Sequence, residues 1–133
     1  LLMRKCSTFS HGDCIGSDEQ ANWIAVGLDI PYFQIYPPDN PKKRAFCFTD
    51  KRHDNMIGRH EIEVSNPAKV VIVQWAPRAP YLERNRHIVD NCDFLIATPK
   101  EFKMTVRSGT WATIRYAWKM KRDISIIPPL ERE

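Results

Sequence analysis

Two short turns rich in small residues carry the groups in this sequence that could hold an anion. The first covers residues 12–18 and reads GDCIGSD, and the second covers residues 107–110 and reads RSGT. Each turn follows a short run typical of a strand and precedes a run with helical spacing. The first backbone amides of a helix have no intrahelical partners, and the helix dipole is positive at that end. Both turns therefore predict a site for phosphate or a similar anion.

The predicted contacts to such an anion lie in these two turns and at the start of a helix that begins at Tyr81. They are Gly12, Asp13, Gly16, Asp18, Arg84, Asn85, Arg107, Ser108, Gly109 and Thr110. A cation near a helix N-terminus opposes the dipole, so we expect Arg84 to be held there by something other than helix stability. The plainer alternatives are that the glycines only form turns and that Arg84 is an ordinary solvated arginine.

Strands and helices alternate along the chain and would position these residues. The predicted strands are Ser7–His11, Tyr32–Tyr36, Ala68–Trp75, Phe94–Ala97 and Ile124–Ile127. Helices are predicted after Ser17, from Tyr81 and after Gly109, and the pattern resembles a βαβ series. Such alternation favours an α/β fold with a mainly parallel sheet, helices on both faces, and ligands at the carboxyl ends of the strands.

Two helical faces are predicted from the spacing of apolar residues. In the first helix, Ser17 and Gln20 resemble a capping box, and the buried face is expected to hold Ala21, Ile24, Ala25 and Leu28. In the second helix, the residues expected on one buried side are Leu82, Asn85, Val89 and Cys92. That arrangement places Arg84 and Arg86 off the core face.

The segment from about 38 to 67 is rich in charge and poor in periodicity. It begins with three prolines between residues 37 and 41 and contains six lysines and arginines between residues 42 and 59. We interpret it as a mostly irregular basic surface insertion within one domain that covers residues 1–133. A solvated loop and a basic lid over an anionic ligand are both compatible with this composition.

The composition is that of a globular protein and excludes several classes. The chain of 133 residues is 43% hydrophobic and 27% charged, enough to build one core. No apolar run reaches the roughly 20 residues of a membrane span. Four scattered cysteines lack any CxxC or zinc-type spacing, which predicts reduced thiols, a cytoplasmic location and no metal site; no cofactor is expected either. A net charge of +4 suits an anionic partner without requiring one.

Three segments, in this order and spacing, resemble the SLOG superfamily of Rossmann-like nucleotide-binding domains. They are GDCIGSD, YLERNRHIVDNCDFLIATP and RSGTWATIRYA. The superfamily includes the DNA-processing Smf proteins and the Lonely Guy phosphoribohydrolases, which cleave the N-glycosidic bond of nucleoside 5′-monophosphates. The chain is most similar to the small bacterial and phage members, over Ser10 to Pro128. The family's first strand and most of its first helix have no counterpart here, so part of the usual pocket is expected to be absent.

The resemblance extends to individual residues of the family's motifs, with one exception. Arg84 matches the catalytic arginine of the Lonely Guy enzymes, while Ser108, Gly109 and Thr110 match their phosphate-binding turn. Thr113 stands where those enzymes have a glutamate that works on the ribose. Glycosidic cleavage needs negative charge near the developing cation, and a threonine does not supply it.

The function implied first is therefore binding or sensing of a nucleotide-like or phosphoribosyl ligand at the carboxyl edge of the sheet. Whether the protein is an enzyme is left open: one alternative is a phosphoribohydrolase-like hydrolase with a rearranged carboxylate. Another is single-stranded nucleic-acid binding, as in the Smf proteins. Two tryptophans, Trp111 and Trp118, lie in the last predicted helix, and we expect that helix to contribute to a homodimer or higher assembly.

Overall fold

The computed structural model describes residues 7–53, 55–65, 68–99 and 109–127. The backbone groups into two compact units, Leu1–Pro80 and Tyr81–Glu133. The strands and α-helices, in chain order, are β1 (Thr8–His11), α1 (Ser17–Gly27), β2 (Tyr32–Ile35), β3 (Gly58–Ser65), β4 (Ala68–Trp75), α2 (Tyr81–Asp90), β5 (Phe94–Ala97), α3 (Gly109–Lys119) and β6 (Asp123–Ile126). None of the helices in these ranges is long and apolar enough to span a membrane.

The first unit contains a four-stranded sheet in the order β1-β2-β4-β3. Strands β1, β2 and β4 run parallel, and β3 is antiparallel to β4. The register pairs His11 with Ile35 and Ile35 with Trp75, so the three parallel strands end level with one another. The side chains that fill the core on one face of the sheet include Phe33, Ile35, Val71, Val73 and Trp75, all at most 1% exposed. The predicted α/β class with a mainly parallel sheet and flanking helices is confirmed.

Helix α1 buries Ala25, as predicted, but the rest of its buried face differs from the prediction. Its buried residues are Asn22, Ala25 and Val26, whereas Ile24 is 57% exposed. The reason is a hydrogen bond: the Asn22 side chain points toward the sheet, where it is hydrogen-bonded to a histidine of β1. The predicted capping box is also wrong, since Gly16 is the N-cap residue, Ser17 begins the helix and no side chain caps its end.

The segment 38–67 is more regular than its composition indicates. Two short 3-10 helices, Pro41–Lys43 and Lys51–His53, lie in its first part, and β3 occupies most of its second part. The interpretation of this segment as mostly irregular is therefore wrong from Gly58 to Ser65. The two-residue alternation of β3 is real, but charged residues fill its outward positions and hide the strand pattern.

The second unit contains the parallel pair β5–β6 with helices α2 and α3. One cluster of buried residues in this unit comprises Ala97, Trp111 and Ile114, so Trp111 is a core residue, while Trp118 is 47% exposed. Helix α3 is fastened to α2 by a hydrogen bond from the Tyr116 hydroxyl to Asp90 Oδ1, 2.6 Å long. This bond raises the pKa of Tyr116, because the protonated phenol is the form that can donate.

Helix α2 also departs from its predicted face. Val89 is fully buried and Asn85 is 9% exposed, as expected, but Leu82 is 54% exposed. Arg84, predicted to lie off the core face, is only 3% exposed. Its guanidinium carbon lies 4.8 Å from the centre of the Tyr81 ring, at the first residue of the helix, a distance at which a cation–π contact is favourable.

Candidate functional site

The predicted contact residues fall into two groups, one in each unit. Gly12, Asp13 and Gly16 lie in the turn between β1 and α1, and Asp18 is the second residue of α1. Arg84, Asn85, Gly109 and Thr110 lie at the beginnings of α2 and α3. Arg107 and Ser108 lie outside the described residues, so their part of the second turn stays a prediction. Each group is built from the residues of its own unit.

Asp13 is the structural centre of the first turn. It is fully buried and has a φ of 55°, in the left-handed region, which an aspartate tolerates better than most residues. Its Oδ2 accepts from Arg44 Nε at 3.1 Å, and its Oδ1 accepts from the Cys47 amide at 2.9 Å. Both carboxylate oxygens are therefore engaged within the protein, and Asp13 ties the turn to the segment that follows β2.

Arg44 is the partner that sequence reasoning missed. It is 3% exposed, and its guanidinium also lies 4.5 Å from the centre of the Phe46 ring. The Ala45 amide donates to the Asp13 carbonyl at 2.8 Å, and the Ile15 amide donates to the Lys43 carbonyl at 3.1 Å. Residues 43–45 thus run alongside residues 13–15, and the basic stretch 42–44 lies directly on the predicted anion turn.

Several amides of this turn already donate within the protein. The Asp13 amide donates to His11 Nδ1 at 2.9 Å, and the Cys14 amide donates to Asp18 Oδ2 at 3.1 Å. The Ile15 amide is used as well, as described above. Any anion bound here would therefore meet the first turn of α1, from Ser17, rather than the amides of residues 13–15. Gly16, with a φ of 104°, has open space where a side chain would begin.

His11 and Asn22 form a buried polar pair behind the turn. Because the Asp13 amide donates to His11 Nδ1, that nitrogen carries no proton, and the ring's hydrogen lies on Nε2. Nε2 then donates to Asn22 Oδ1 at 2.8 Å, which fixes the orientation of the amide. Asn22 Nδ2 is left as a buried donor without an acceptor among the described residues. Neither residue was singled out from the sequence, where a histidine on a strand and an asparagine in a helix carry no local signal.

Cys47 lies under the same turn and is not suited to nucleophilic chemistry. It is 2% exposed. Burial raises the pKa of its thiol far above the usual range, and the neighbouring Asp13 carboxylate raises it further. A thiol is a nucleophile only as its thiolate, so Cys47 is a packing residue. No group of three or more His, Cys, Asp or Glu side chains in the described ranges could hold a metal ion.

The second group is organised by the ring of Tyr81. The guanidinium of Arg84 lies over this ring, and Gly109, the first residue of α3, packs against its edge. A Cβ atom at position 109 would lie only 2.9 Å from Tyr81 Cζ, closer than van der Waals contact allows. The glycine is therefore needed for close approach, and it brings the N-terminal ends of α2 and α3 to one aromatic ring together with a buried cation.

The neighbouring polar residues complete this second group. Asn85 follows Arg84 on α2 and is 9% exposed, and Thr110 is half-buried in the first turn of α3. Thr113 donates from Oγ1 to the Gly109 carbonyl at 2.9 Å. The Thr113 side chain therefore stabilises the first turn of α3.

Comparison with known proteins supports the fold. No protein-family model matches the chain, and no curated protein matches it. A crystal structure titled "Putative molybdenum carrier protein", from Syntrophus aciditrophicus SB, superposes on 92% of this chain with a TM-score of 0.57 and 17% sequence identity. The chain matches 63% of the length of that protein. At this identity the likeness establishes the fold alone, which is Rossmann-like α/β.

Proposed function

We propose that this protein binds a nucleotide-like or phosphoribosyl ligand, and that Arg84 contacts its phosphate. The observation that carries the proposal is the grouping of Arg84, Tyr81 and Gly109 at the beginnings of α2 and α3. Helix N-termini favour anions, and a planar guanidinium suits a phosphate better than any other side chain does. A phosphate bound there would be held by two helix ends and one arginine.

The burial of Arg84 adds a physical reason for an anion. Removing a guanidinium from water is costly, and placing it near the positive ends of two helices adds to the cost. An anionic ligand at these helix ends would offset the unfavourable position of a cation near two helix N-termini.

The family proposal rests on the same residues. The Rossmann-like fold agrees with the resemblance of the sequence to the SLOG superfamily, and Arg84 and Gly109 occupy matching positions of two of its motifs. Thr113 supports binding or sensing over glycosidic hydrolysis, since its hydroxyl is bonded to a backbone carbonyl and no carboxylate stands in its place. We also expect a cytoplasmic protein that forms at least a dimer, as the sequence predicts.

The direct test is calorimetric titration of a panel of nucleoside 5′-monophosphates, with the matching nucleosides as controls for the phosphate. Replacing Arg84 with alanine should weaken monophosphate binding by about 1.5–3 kcal/mol, or roughly 10- to 150-fold in Kd. Arg84→Lys should recover only part of the loss, because an ammonium lacks the planar fork. Arg86→Ala is the matched control: this arginine is exposed on the same helix and lies over a different ring, that of Tyr116.

Three results would redirect the proposal. Equal affinity of the Arg84→Ala and parent proteins for every ligand that binds would remove Arg84 from the site. Release of free base during incubation would favour the hydrolase alternative. Molybdate belongs in the same panel because the structural neighbour is described as a "Putative molybdenum carrier protein". Binding of molybdate without binding of any nucleotide would replace the proposed ligand class. Because Arg84 is buried, its variants should be titrated only where circular dichroism shows them folded.

A further inference from the structure

Strand β3 is an outer strand of the first unit's sheet and is unusually long for an edge. It contains eight residues, against four in β1, at the other end of the strand order. One side of β3 pairs with β4 along its whole length, and no described strand pairs with its other side. An edge of this length presents a row of backbone donors and acceptors to any strand of matching pattern.

The side chains of β3 sort onto two faces with different chemistry. His60, Ile62 and Val64 pair in register with Val73, Val71 and Lys69, and the first two of these partners are core residues. Arg59, Glu61 and Glu63 lie on the opposite face and are exposed. That second face therefore carries one cation near the start of the strand and two anions further along it.

When two copies of β3 lie side by side in opposite directions, the cation of each strand meets an anion of the other. We propose that two copies of the chain associate by antiparallel pairing of β3 with β3 across a two-fold axis at Glu61. In this register Arg59 of each copy stands opposite the partner's Glu63, and His60 stands opposite the partner's Ile62. Side chains directly opposite one another in an antiparallel pair point to the same face and interact. The pairing would extend the four-stranded sheet into an eight-stranded one.

The register follows from the length and charge of the strand. An axis at Glu61 pairs every residue from Gly58 to Val64 with a residue of the partner's strand. Two opposite-charge pairs then lie at equal distances from the axis, and only the axial Glu61 pair brings like charges together. A single-sign edge would repel its own copy, which is how many proteins protect such strands. The mixed charges of β3 instead attract a second copy, and the two-fold axis makes the interface isologous.

A strand-to-strand contact of this size is small, so the dimer should be reversible and depend on concentration. Sedimentation velocity of the full chain over a dilution series measures it. Arg59→Glu places glutamate opposite glutamate, and Glu63→Arg places arginine opposite arginine. Because each change turns two attractive pairs into repulsive ones, each should raise the dimer Kd by about tenfold or more. The double variant Arg59→Glu with Glu63→Arg restores opposite charges and should recover the parent Kd.

The control is Lys51→Glu, which makes a comparable charge reversal at an exposed position outside β3 and should leave the Kd unchanged. Melting temperatures of all variants separate loss of association from loss of folding. The proposal would be overturned if the parent protein remained monomeric at a concentration of about 0.1 mM, since even a weak dimer with a small interface should form at that concentration. Single variants that dimerise like the parent, or a double variant no better than the two singles, would overturn it as well.

Discussion

At the residue scale, Arg44 and Arg84, the two arginines buried among the described residues, lie in different surroundings. Arg44 is bonded to the carboxylate of Asp13, an ion pair whose side chains are 1% and 0% exposed. Arg84 lies over the Tyr81 ring in α2 and belongs to the group of residues that we propose binds phosphate. The first arginine is therefore expected to matter for stability, and the second chiefly for ligand affinity.

The Asp13–Arg44 pair gives the first stability prediction. Replacing Arg44 with alanine leaves a buried carboxylate without its counter-ion, which commonly costs about 3–5 kcal/mol. The loss should appear as a lower free energy of unfolding in urea, with an unchanged m-value. Lys43→Ala is the matched control, because this neighbouring cation is exposed and contributes only its backbone to the turn. A loss below about 1 kcal/mol, typical of surface ion pairs, would show that the pair does not hold the turn.

The same pair shows what the sequence could not reveal. Asp13 was recognised as a candidate from its place in a glycine-flanked turn, but its partner lies 31 residues further along the chain. No local pattern links the two, and a buried ion pair looks the same in sequence as two surface charges. Asn22 was missed for a similar reason: the helical spacing of apolar residues favoured Ile24 for the core, and one long-range bond to His11 decided otherwise.

At the element scale, the strands were predicted more accurately than the helix faces. The sequence predicted β4 and β5 with their observed bounds, because both are mostly apolar runs of strand length between turn residues, although Val70 and Phe94 are exposed. β3 was missed, since only Ile62 and Val64 of its inward positions are apolar, Gly58 and His60 precede them, and charged residues fill the positions between. In α2, Leu82 is exposed, and Arg84 is buried over the Tyr81 ring, a contact that the periodicity of the helix does not contain.

The contact between α2 and α3 gives a second prediction, made at Gly109. Alanine there would place its Cβ within 2.9 Å of Tyr81 Cζ, so the ring must move. Because the ring is the platform for Arg84, Gly109→Ala should weaken binding of the proposed phosphorylated ligand by a factor similar to that of Arg84→Ala. The measurement is the same calorimetric titration.

Gly27→Ala is the control for Gly109→Ala. Gly27 ends helix α1, and a Cβ atom there meets nothing within 4 Å. Alanine at this position should leave ligand affinity unchanged and stabilise the fold slightly, by up to about 1 kcal/mol. If Gly109→Ala also bound ligand normally, the Tyr81 ring would have no part in positioning Arg84.

At the scale of the whole molecule, the net charge of +4 is compatible with both a small phosphorylated ligand and a nucleic acid. The two differ in how many phosphates must be neutralised. A nucleic acid that contacts several cations loses affinity steeply as salt rises, because bound counterions are released. A single phosphate held by one buried arginine and helix ends is far less sensitive to salt.

The last prediction uses this difference through the stability of the whole protein. A ligand that binds only the folded state at 100 times its Kd stabilises it by about 2.7 kcal/mol. For a chain of 133 residues this corresponds to a rise in melting temperature on the order of 10 °C. We expect nucleoside phosphates or ADP-ribose to give the largest shift, with little change between low and physiological salt. If only single-stranded oligonucleotides raise the melting temperature, and only at low salt, the protein binds the phosphate backbone of a nucleic acid rather than a single nucleotide.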